Sequence, residues 1–364
     1  IAYEDRGNSN YGTAVVGTVD SSDNSISFGT PVVFHSTEAD WNSATFDTNE
    51  NKVVIAYRDN NNSDRGTAVV GTVSGTSISF GTPVVFQASV TQYISTTFDS
   101  SNNKVVISYQ DDGLSDDAGT AIVGTVSGTA ISFGTAAVFK ADISRYTAIT
   151  FDSSTNRVAI GYQFGGGGNY GHGLVGIVSG TDITFGTIVT FESADTSYIS
   201  AVFDTAQNKV VFAYKDGGNS NYGTLCTGTI TGGGTNTISF DSPVVFESAE
   251  VTYIGAAFDA SPTIGKTVIA YRDDGNSGHG TAVVSGVTIT TDVNNEIGIA
   301  AEAGTDGNPL DVTILGGVNA SQSGLTIADE YWAAADGTLT NSDTGYQKMG
   351  VALSATELLI RGSS

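Results

Sequence analysis

One string keeps returning along this chain. VVIAYRD ends at Asp59, VVISYQD at Asp111, VAIGYQF at Phe164, VVFAYKD at Asp216 and TVIAYRD at Asp273, and the chain opens on IAYED, the tail of a further copy. The Tyr of this string falls at 3, 57, 109, 162, 214 and 271, at intervals of 54, 52, 53, 52 and 57 residues. A second, unrelated marker, Phe-Asp, ends at Asp47, Asp99, Asp152, Asp204 and Asp259, at intervals of 52, 53, 52 and 55. Two markers holding one period mean an array of like units. Each unit is too small to bury a core alone and gains stability by stacking on its neighbours.

Each unit reads as four strands. The copy beginning at Tyr93 runs YISTTFD, a Ser/Asn turn, NKVVISYQD, an Asp/Gly-rich loop, GTAIVGTV, the turn SGTA and ISFGTAAVF, ending at Phe139. β-branched and aromatic residues fill the runs, while Gly, Asn, Ser and Asp fill the gaps, as strands and turns require. No part of the repeat keeps apolar residues at helical spacing, so helix content should be near zero.

The strands differ in pattern, and the difference selects an architecture. VVIAY and TAVVGTV are nearly continuous apolar runs, which predicts burial of both faces. YISTTFD is short and carries Ser and Thr, which suits a strand lining a narrow polar channel. A four-stranded sheet packed between two like sheets, with its first strand at an axis, is a propeller blade. The predicted fold is therefore an all-β β-propeller of four-stranded repeats, with a β-solenoid as the runner-up. Six IAY-type and six GTAVV-type strands are visible, against five Phe-Asp strands and five of the ISFGTPVVF type. Six blades is the first choice and seven the alternative. Residues 1–291 form the predicted propeller, its first and last blades incomplete, and the protein is expected to continue upstream of Ile1.

At Asp292 the repeat stops. Residues 292–364 read as short strands broken by Gly, Asn and Asp, a small β-sandwich-like all-β module. A domain that small buries a limited core, so a role in self-association is expected for it.

Charge narrows the partners. Fourteen Lys and Arg stand against 38 Asp and Glu, a net charge of −24. Such a surface repels nucleic acid and anionic membranes, because binding a phosphate backbone needs clustered cations. No run of apolar residues is long enough for membrane insertion as a helix. Cys226 is the single cysteine and replaces a small core residue of the GTAVV strand, so no intrachain disulfide exists.

Residues able to do chemistry are sparse. His35, His172 and His279 lie in different repeats, which argues against a metal-binding His cluster. The GGGG at Gly165–Gly168 is followed by neither Lys-Ser/Thr nor a helix, so it is a loop and not a phosphate cradle. Two repeated features remain. The loops EDRGNSNYG, RDNNNSDRG, QDDGLSDDAG, KDGGNSNYG and RDDGNSGHG carry hard oxygens, and Asp59, Asp64, Asp111, Asp112, Asp273 and Asp274 are candidate Ca²⁺ ligands. Asx-turns account for the same residues without an ion, and the predicted cofactor is none. The second feature is an aromatic six residues before each Phe-Asp aspartate: Trp41, Tyr93, Tyr146, Tyr198 and Tyr253. These either form a ligand-binding rim at the channel mouth, suited to stacking on sugars, or pack between blades.

The repeat YRDDGNSxxGTAVVGTVSGTSISFGTPVVF…YISxxFDSxxNKVVIAY resembles repeats in tail-fibre and other virion surface proteins of marine phages, cyanophages in particular. The string NNEIGIAAEAGTDGNPLDVTILGG through KMGVALSATELLIRG is similar to a C-terminal viral module. The resemblance implies a virion appendage at the particle surface or outside the cell, a homotrimer contacting other virion proteins. Together with the aromatics it gives the expected function: a non-enzymatic, receptor-binding attachment protein that holds a host-surface carbohydrate. A structural decoration, connector or extracellular filament protein is the alternative. A polysaccharide-degrading enzyme ranks third, since glycoside cleavage needs two carboxylates facing one pocket and no such set stands out from the repeat pattern.

Overall fold

The computed structural model describes residues 1–285 except 21, 24, 115, 232–235 and 261–264. Beyond these it describes residues 298–300, 312–314, 318–319, 326, 330–333, 339–340, 347–352, 354 and 358–360. The chain divides into two compact units, Ile1–Val287 and Thr288–Ser364. Every extended element is a β-strand, and among the described residues the helical turns are the single 3₁₀ turns Arg6–Asn8, Asn60–Asn62 and Asp274–Asn276.

The third blade shows how a repeat folds. Lys104–Asp111 pairs antiparallel with the second half of Val84–Asp99 on one side and with Ala118–Ser127 on the other. The outer position is shared by two pieces: Ala130–Phe133 pairs with Gly124–Ser127, and the start of Ala137–Asp152 pairs with Ala118–Ala121. The sequence reading took ISFGTAAVF as one strand; the structure breaks it at Gly134. Gly134 donates its N–H to the Val123 carbonyl at 2.9 Å. A Cβ here would enter the van der Waals shell of the Thr181 carbonyl oxygen, which belongs to a turn of the next blade. Gly29, Gly81 and Gly186 stand in the same relation to the carbonyls of Thr76, Thr129 and Asn236. The glycine ends the strand because the neighbouring backbone needs the space.

The second piece continues. Val32–Asp47, Val84–Asp99, Ala137–Asp152 and Val244–Asp259 are each 16-residue strands. In each, the first half closes the outer edge of one blade and the second half opens the inner edge of the next. Between the fourth and fifth blades the same path is split into Val189–Glu192 and Thr196–Asp204. Successive inner strands lie side by side and their Ser and Thr hydroxyls join them. Ser43 Oγ meets Thr96 Oγ1 at 3.0 Å, Thr147 Oγ1 donates to the Tyr93 carbonyl at 2.6 Å, and the Ala256 N–H donates to Ser200 Oγ at 2.9 Å. The polar character of YISTTFD therefore serves contact between inner strands.

The second and third strands are buried on both faces, as their apolar runs predict. Val105, Val106, Ile107 and Tyr109 have no exposed surface. The repeated Tyr is a core anchor. Tyr57, Tyr109, Tyr162 and Tyr214 are fully buried, each against a Phe of the preceding outer edge: Phe34, Phe86, Phe139 and Phe191, with ring centroids 5.2–5.3 Å apart. A buried phenol needs a partner for its hydroxyl. Here it meets His35 Nδ1 at 3.2 Å, Gln87 at 3.4 Å, His172 Nδ1 at 3.3 Å and Glu192 at 3.0 Å. The second marker is equally structural. Asp47, Asp99, Asp152 and Asp204 are buried and each accepts two backbone N–H groups of the hairpin that follows, as Asp99 does from Ser101 and Asn102. Asn51, Asn103, Asn156 and Asn208 then take the left-handed conformation that closes the turn.

The end blades expose what inner blades cover. Lys266–Asp273 alternates exposed and buried residues, whereas its counterpart Lys104–Asp111 is buried throughout except for Lys104, which is half-buried. In the first blade the hairpin of Gly17–Asp20 and Ser25–Phe28 is exposed along its length. The expected absence of an outer strand before Asp292 lies outside the described residues. In the second unit, Val318–Asn319, Leu358–Ile360, Gln347–Ala352, Glu330–Ala333 and Leu339–Thr340 form one antiparallel sheet in that order, and Gly298–Ala300 pairs with Val312–Ile314.

Two outcomes follow from this packing. At Gly119 an added methyl would overlap the Phe139 ring, while at the repeat-equivalent Gly280 it would meet nothing within 4 Å among the described residues. Gly119→Ala should lower stability by about 1–3 kcal/mol through overpacking, and Gly280→Ala should leave the urea midpoint within error. Burial raises the phenols of Tyr57, Tyr109, Tyr162 and Tyr214 above their ordinary value. The unfolded chain ionises near pH 10, so the stability these phenols contribute is present below that pH and is lost as pH rises further. Melting temperatures measured from pH 9 to 12 should fall steeply above 10, and a flat profile would contradict buried phenols.

Candidate functional site

The five aromatics singled out from the sequence occupy one position in the connecting strand. On either side of it the pairing with the next strand slips: Gln92 faces Gln110 and Ser95 faces Ser108, so Tyr93 and Ile94 together oppose Tyr109. This is a β-bulge, and the same slip surrounds Trp41, Tyr146, Tyr198 and Tyr253. All five take left-handed backbone, with φ of 51°, 50°, 50°, 51° and 52° in chain order. A bulky side chain there costs about 1–2 kcal/mol, and such strain concentrates where a side chain must be aimed. The twist sends Ile94 into the core and swings Tyr93 sideways toward the neighbouring blade.

The rings touch from blade to blade. Centroid distances are 4.4 Å for Trp41–Tyr93, 4.8 Å for Tyr93–Tyr146, and 5.3 Å for both Tyr146–Tyr198 and Tyr198–Tyr253. Each ring is tilted on the next by 46–56°. The row is thus packed between blades and open to solvent at once. Tyr93, Tyr146 and Tyr198 are half-buried, Trp41 is 38% exposed and Tyr253 is 70% exposed. Burial first, then the neighbouring Tyr93, Tyr198 and Asp195, push the Tyr146 phenol up to about 12. It is a hydroxyl donor and acceptor at neutral pH.

Tyr93 and Tyr146 border a cleft of about 530 Å³ whose other walls are polar: Gln92, Gln110, Asp117, Arg145, Gln163, Asn169, Asp195 and Ser197. Its amides are partly engaged. Gln163 is buried and donates to Asp195 at 2.9 Å. Gln110 is buried and donates to Asp112 at 2.6 Å, while its Oε1 has no partner. An unmatched buried acceptor costs about 1–3 kcal/mol, so a donor arriving in the cleft has something to gain. Burial and the nearby Asp112 raise the Asp117 carboxyl above the usual carboxylate range, and the Arg145 guanidinium opposes the shift.

The loop aspartates proposed as Ca²⁺ ligands have other partners. Asp59 bonds His35 at 3.0 Å. Asp64 lies 3.7 Å from Arg58. Asp111 accepts from Gln87, from Ser89 at 2.5 Å and from the Gly113 N–H. Asp112 accepts from Gln92 and Gln110. Asp273 caps the Asn276 N–H, and Asp274 pairs with Arg272 at 3.0 Å. A different group, Glu4, Glu38 and Asp40, places one oxygen each within 4.8 Å of the others and could hold a cation such as Ca²⁺. Asp40 already receives Arg58 at 2.5 Å and Asn60 at 2.9 Å. No other cofactor is indicated among the described residues.

The remaining sequence candidates are structural. His172 contacts the Tyr162 hydroxyl and stacks on Phe164 at 5.1 Å, and burial followed by Lys140 lowers its pKa. Cys226 is fully buried in the core, where burial raises its thiol. The sequence reading passed over Gln92, Gln110, Asp117, Arg145, Gln163, Asn169, Asp195 and Ser197. The available signal was the residue preceding each aromatic, which is Asp40, Gln92, Arg145, Ser197 or Thr252 in turn and follows no repeat rule.

No family model matches this chain, and no curated protein matches it. Solved structures do. The BP39L lectin from Burkholderia pseudomallei superposes with a TM-score of 0.53 at 14% identity, over 77% of this chain and 76% of that one. A six-bladed propeller lectin from Aleuria aurantia gives 0.42 at 13% identity over 78% and 93%. An exo-β-1,3-galactanase from Phanerochaete chrysosporium gives 0.41 at 10% identity over 71% and 60%. The first establishes an all-β fold like that of the bacterial lectin; the lower scores carry no argument. The expected tail-fibre or virion identity is corrected by the match to the bacterial lectin, which is not a virion protein. The repeated strings that suggested it are turn Gly, Asn, Ser and Asp between β-branched runs. They are what any stack of antiparallel blades requires, so they report fold and not source.

Proposed function

We propose that this chain is a non-enzymatic carbohydrate-binding protein, a six-bladed propeller whose ligand lies on the aromatic row above the polar cleft. One observation carries the reading: five rings held at strained bulges, two of which, Tyr93 and Tyr146, border a cleft walled by amides, a guanidinium and carboxylates. Ring faces stack on the C–H face of a sugar, and the amides and charges meet its hydroxyls. The charge of −24 disfavours nucleic acid and anionic lipid as partners, and no described helix is long and apolar enough to cross a membrane. The likeness of the fold to a lectin supports the reading.

Polysaccharide cleavage is a second reading with one point in its favour. Asp117, whose carboxyl is raised, shares the cleft with Asp195, and two carboxyl groups facing one pocket are what glycoside hydrolysis uses. Release of reducing ends from a polysaccharide by the chain, lost in Asp117→Asn, would establish it over simple binding.

Replacing both Tyr93 and Tyr146 by Ala should cost tenfold or more in glycan affinity, about 1.4 kcal/mol or greater. It should also lower stability by about 1–4 kcal/mol through lost ring contacts. Isothermal titration with a ligand taken from a glycan array, run beside thermal melts, separates the two effects. Undiminished affinity in a destabilised variant would make the row a packing device. For the C-terminal unit, assembly is the proposed role. Light scattering of the chain cut after residue 287 should then report a monomer where the full chain is oligomeric, and an unchanged mass would refute it.

A further inference from the structure

The cleft is not equivalent to the other blade junctions, and Arg145 marks the difference. The two residues that face each other just before the bulge are Asp40 and Arg58, Gln92 and Gln110, Arg145 and Gln163, Ser197 and Lys215, and Thr252 and Arg272. Where such a pair holds a cation on the second strand, a carboxylate neutralises it. Arg58 meets Asp40 at 2.5 Å, Lys215 meets Glu250 at 2.6 Å and Arg272 meets Asp274 at 3.0 Å. Arg145 stands on the inner strand instead and has neither a hydrogen bond nor an ion pair among the described residues. Its field alone reaches Tyr93, Asp117 and Tyr146. The reason is local: the position after the second strand that holds Asp112 in one blade and Asp274, the partner of Arg272, in another is Gly165 here, and a Cβ on it would lie 3.5 Å from Arg145 Nη1.

Two unmatched groups therefore share one cleft, the donor fork of Arg145 and the buried acceptor Oε1 of Gln110. A ligand that satisfies both must accept and donate. A carboxylate would engage Arg145 but leave Gln110 without a donor, and it would face Asp117 and Asp195 in a strongly acidic chain. An ammonium group would meet Gln110 but oppose Arg145. Adjacent hydroxyls do both.

We propose that Arg145 and Gln110 form a single specificity subsite per chain for a neutral sugar presenting two adjacent free hydroxyls. This rests on the carbohydrate-binding reading above and departs from the five equal aromatic positions of the repeat. Arg145 is the selecting residue, because a guanidinium offers several N–H groups in one fixed plane where an ammonium offers a point charge.

The test uses saturation-transfer NMR and titration calorimetry on the full chain with the methyl glycosides of glucose, galactose, mannose and xylose, and with glucuronic acid and N-acetylneuraminic acid. At least one neutral glycoside should bind with one site per chain and the two acids should not. Arg145→Gln should weaken binding tenfold or more at an unchanged melting temperature. Arg272→Gln, at an equivalent pair of which neither member lines the cleft, should leave affinity as it was. If Arg145→Gln perturbs folding, Arg145→Lys carries the same test, since it keeps the charge and removes the fork. Preferential binding of the acids, neutral binding indifferent to Arg145, or several equal sites per chain would each overturn the subsite and leave the carbohydrate reading standing. Binding of no sugar in the panel, with no signal on a wider glycan array, would overturn both.

Discussion

The rest of this molecule hangs on one covalent device, a strand that belongs to two blades. By closing the outer edge of one sheet and opening the inner edge of the next, Ala137–Asp152 fixes the order of the blades and their close approach together. Because both halves are bonded into different sheets, neighbouring blades cannot slide apart without breaking a ladder. The bulge at its centre absorbs the change of direction. An aromatic residue rather than glycine sits there each time, although glycine would accept φ near +50° without cost. The contacts each ring makes with the next must offset the strain, so the aromatic row and the blade-to-blade connection are one feature.

The second constraint is how closely the backbones pack. Gly134 and its equivalents let the turn of the following blade reach the strand end. Gly119 and its equivalents Gly66, Gly171 and Gly223 leave room for the end of a Phe ring where a Cβ would otherwise stand. That Phe in turn covers the buried Tyr of the repeat. The markers that announced the period are thus the parts that interlock, and this is why they tolerate so little variation along the chain while the loops between them vary.

Much of the fold was legible for that reason. Continuous apolar runs such as VVIAY reported burial on both faces, and Ser and Thr in YISTTFD marked out the inner strand, although they were read as lining a polar channel and not as the hydroxyl contacts that join neighbouring inner strands. The split of ISFGTAAVF was not legible, since it depends on a carbonyl of the next blade that no local pattern reveals. Nor was the left-handed backbone of Tyr93 or Tyr146, because a bulky aromatic is a poor candidate for that conformation on local grounds. The aromatic positions were picked out by recurrence. The cleft beside them was missed because Gln92, Arg145 and Ser197 break the repeat, and reading by repeat discards such positions. The phage-like repeat string misled for the converse reason: it was the repeat-conserving, fold-determined part of the sequence and held no information on source.

A repeat protein keeps its fold in what recurs and has room for function in what does not. Cations are scarce here, and Arg6, Arg58, Arg65, Arg157 and Arg272 each have an acceptor close by within the chain. In an acidic molecule that distribution is expected, since carboxylates are abundant and a bare guanidinium is easily neutralised. Arg145 escapes because Gly165 stands where Asp274 meets Arg272 and offers no carboxylate, while the preceding Phe164 receives Lys140 over its ring at 4.3 Å and stacks on His172. One substitution in one loop thus changes the electrostatics of a cleft built from three blades. The scaffold is periodic, and the chemistry is placed where the period fails.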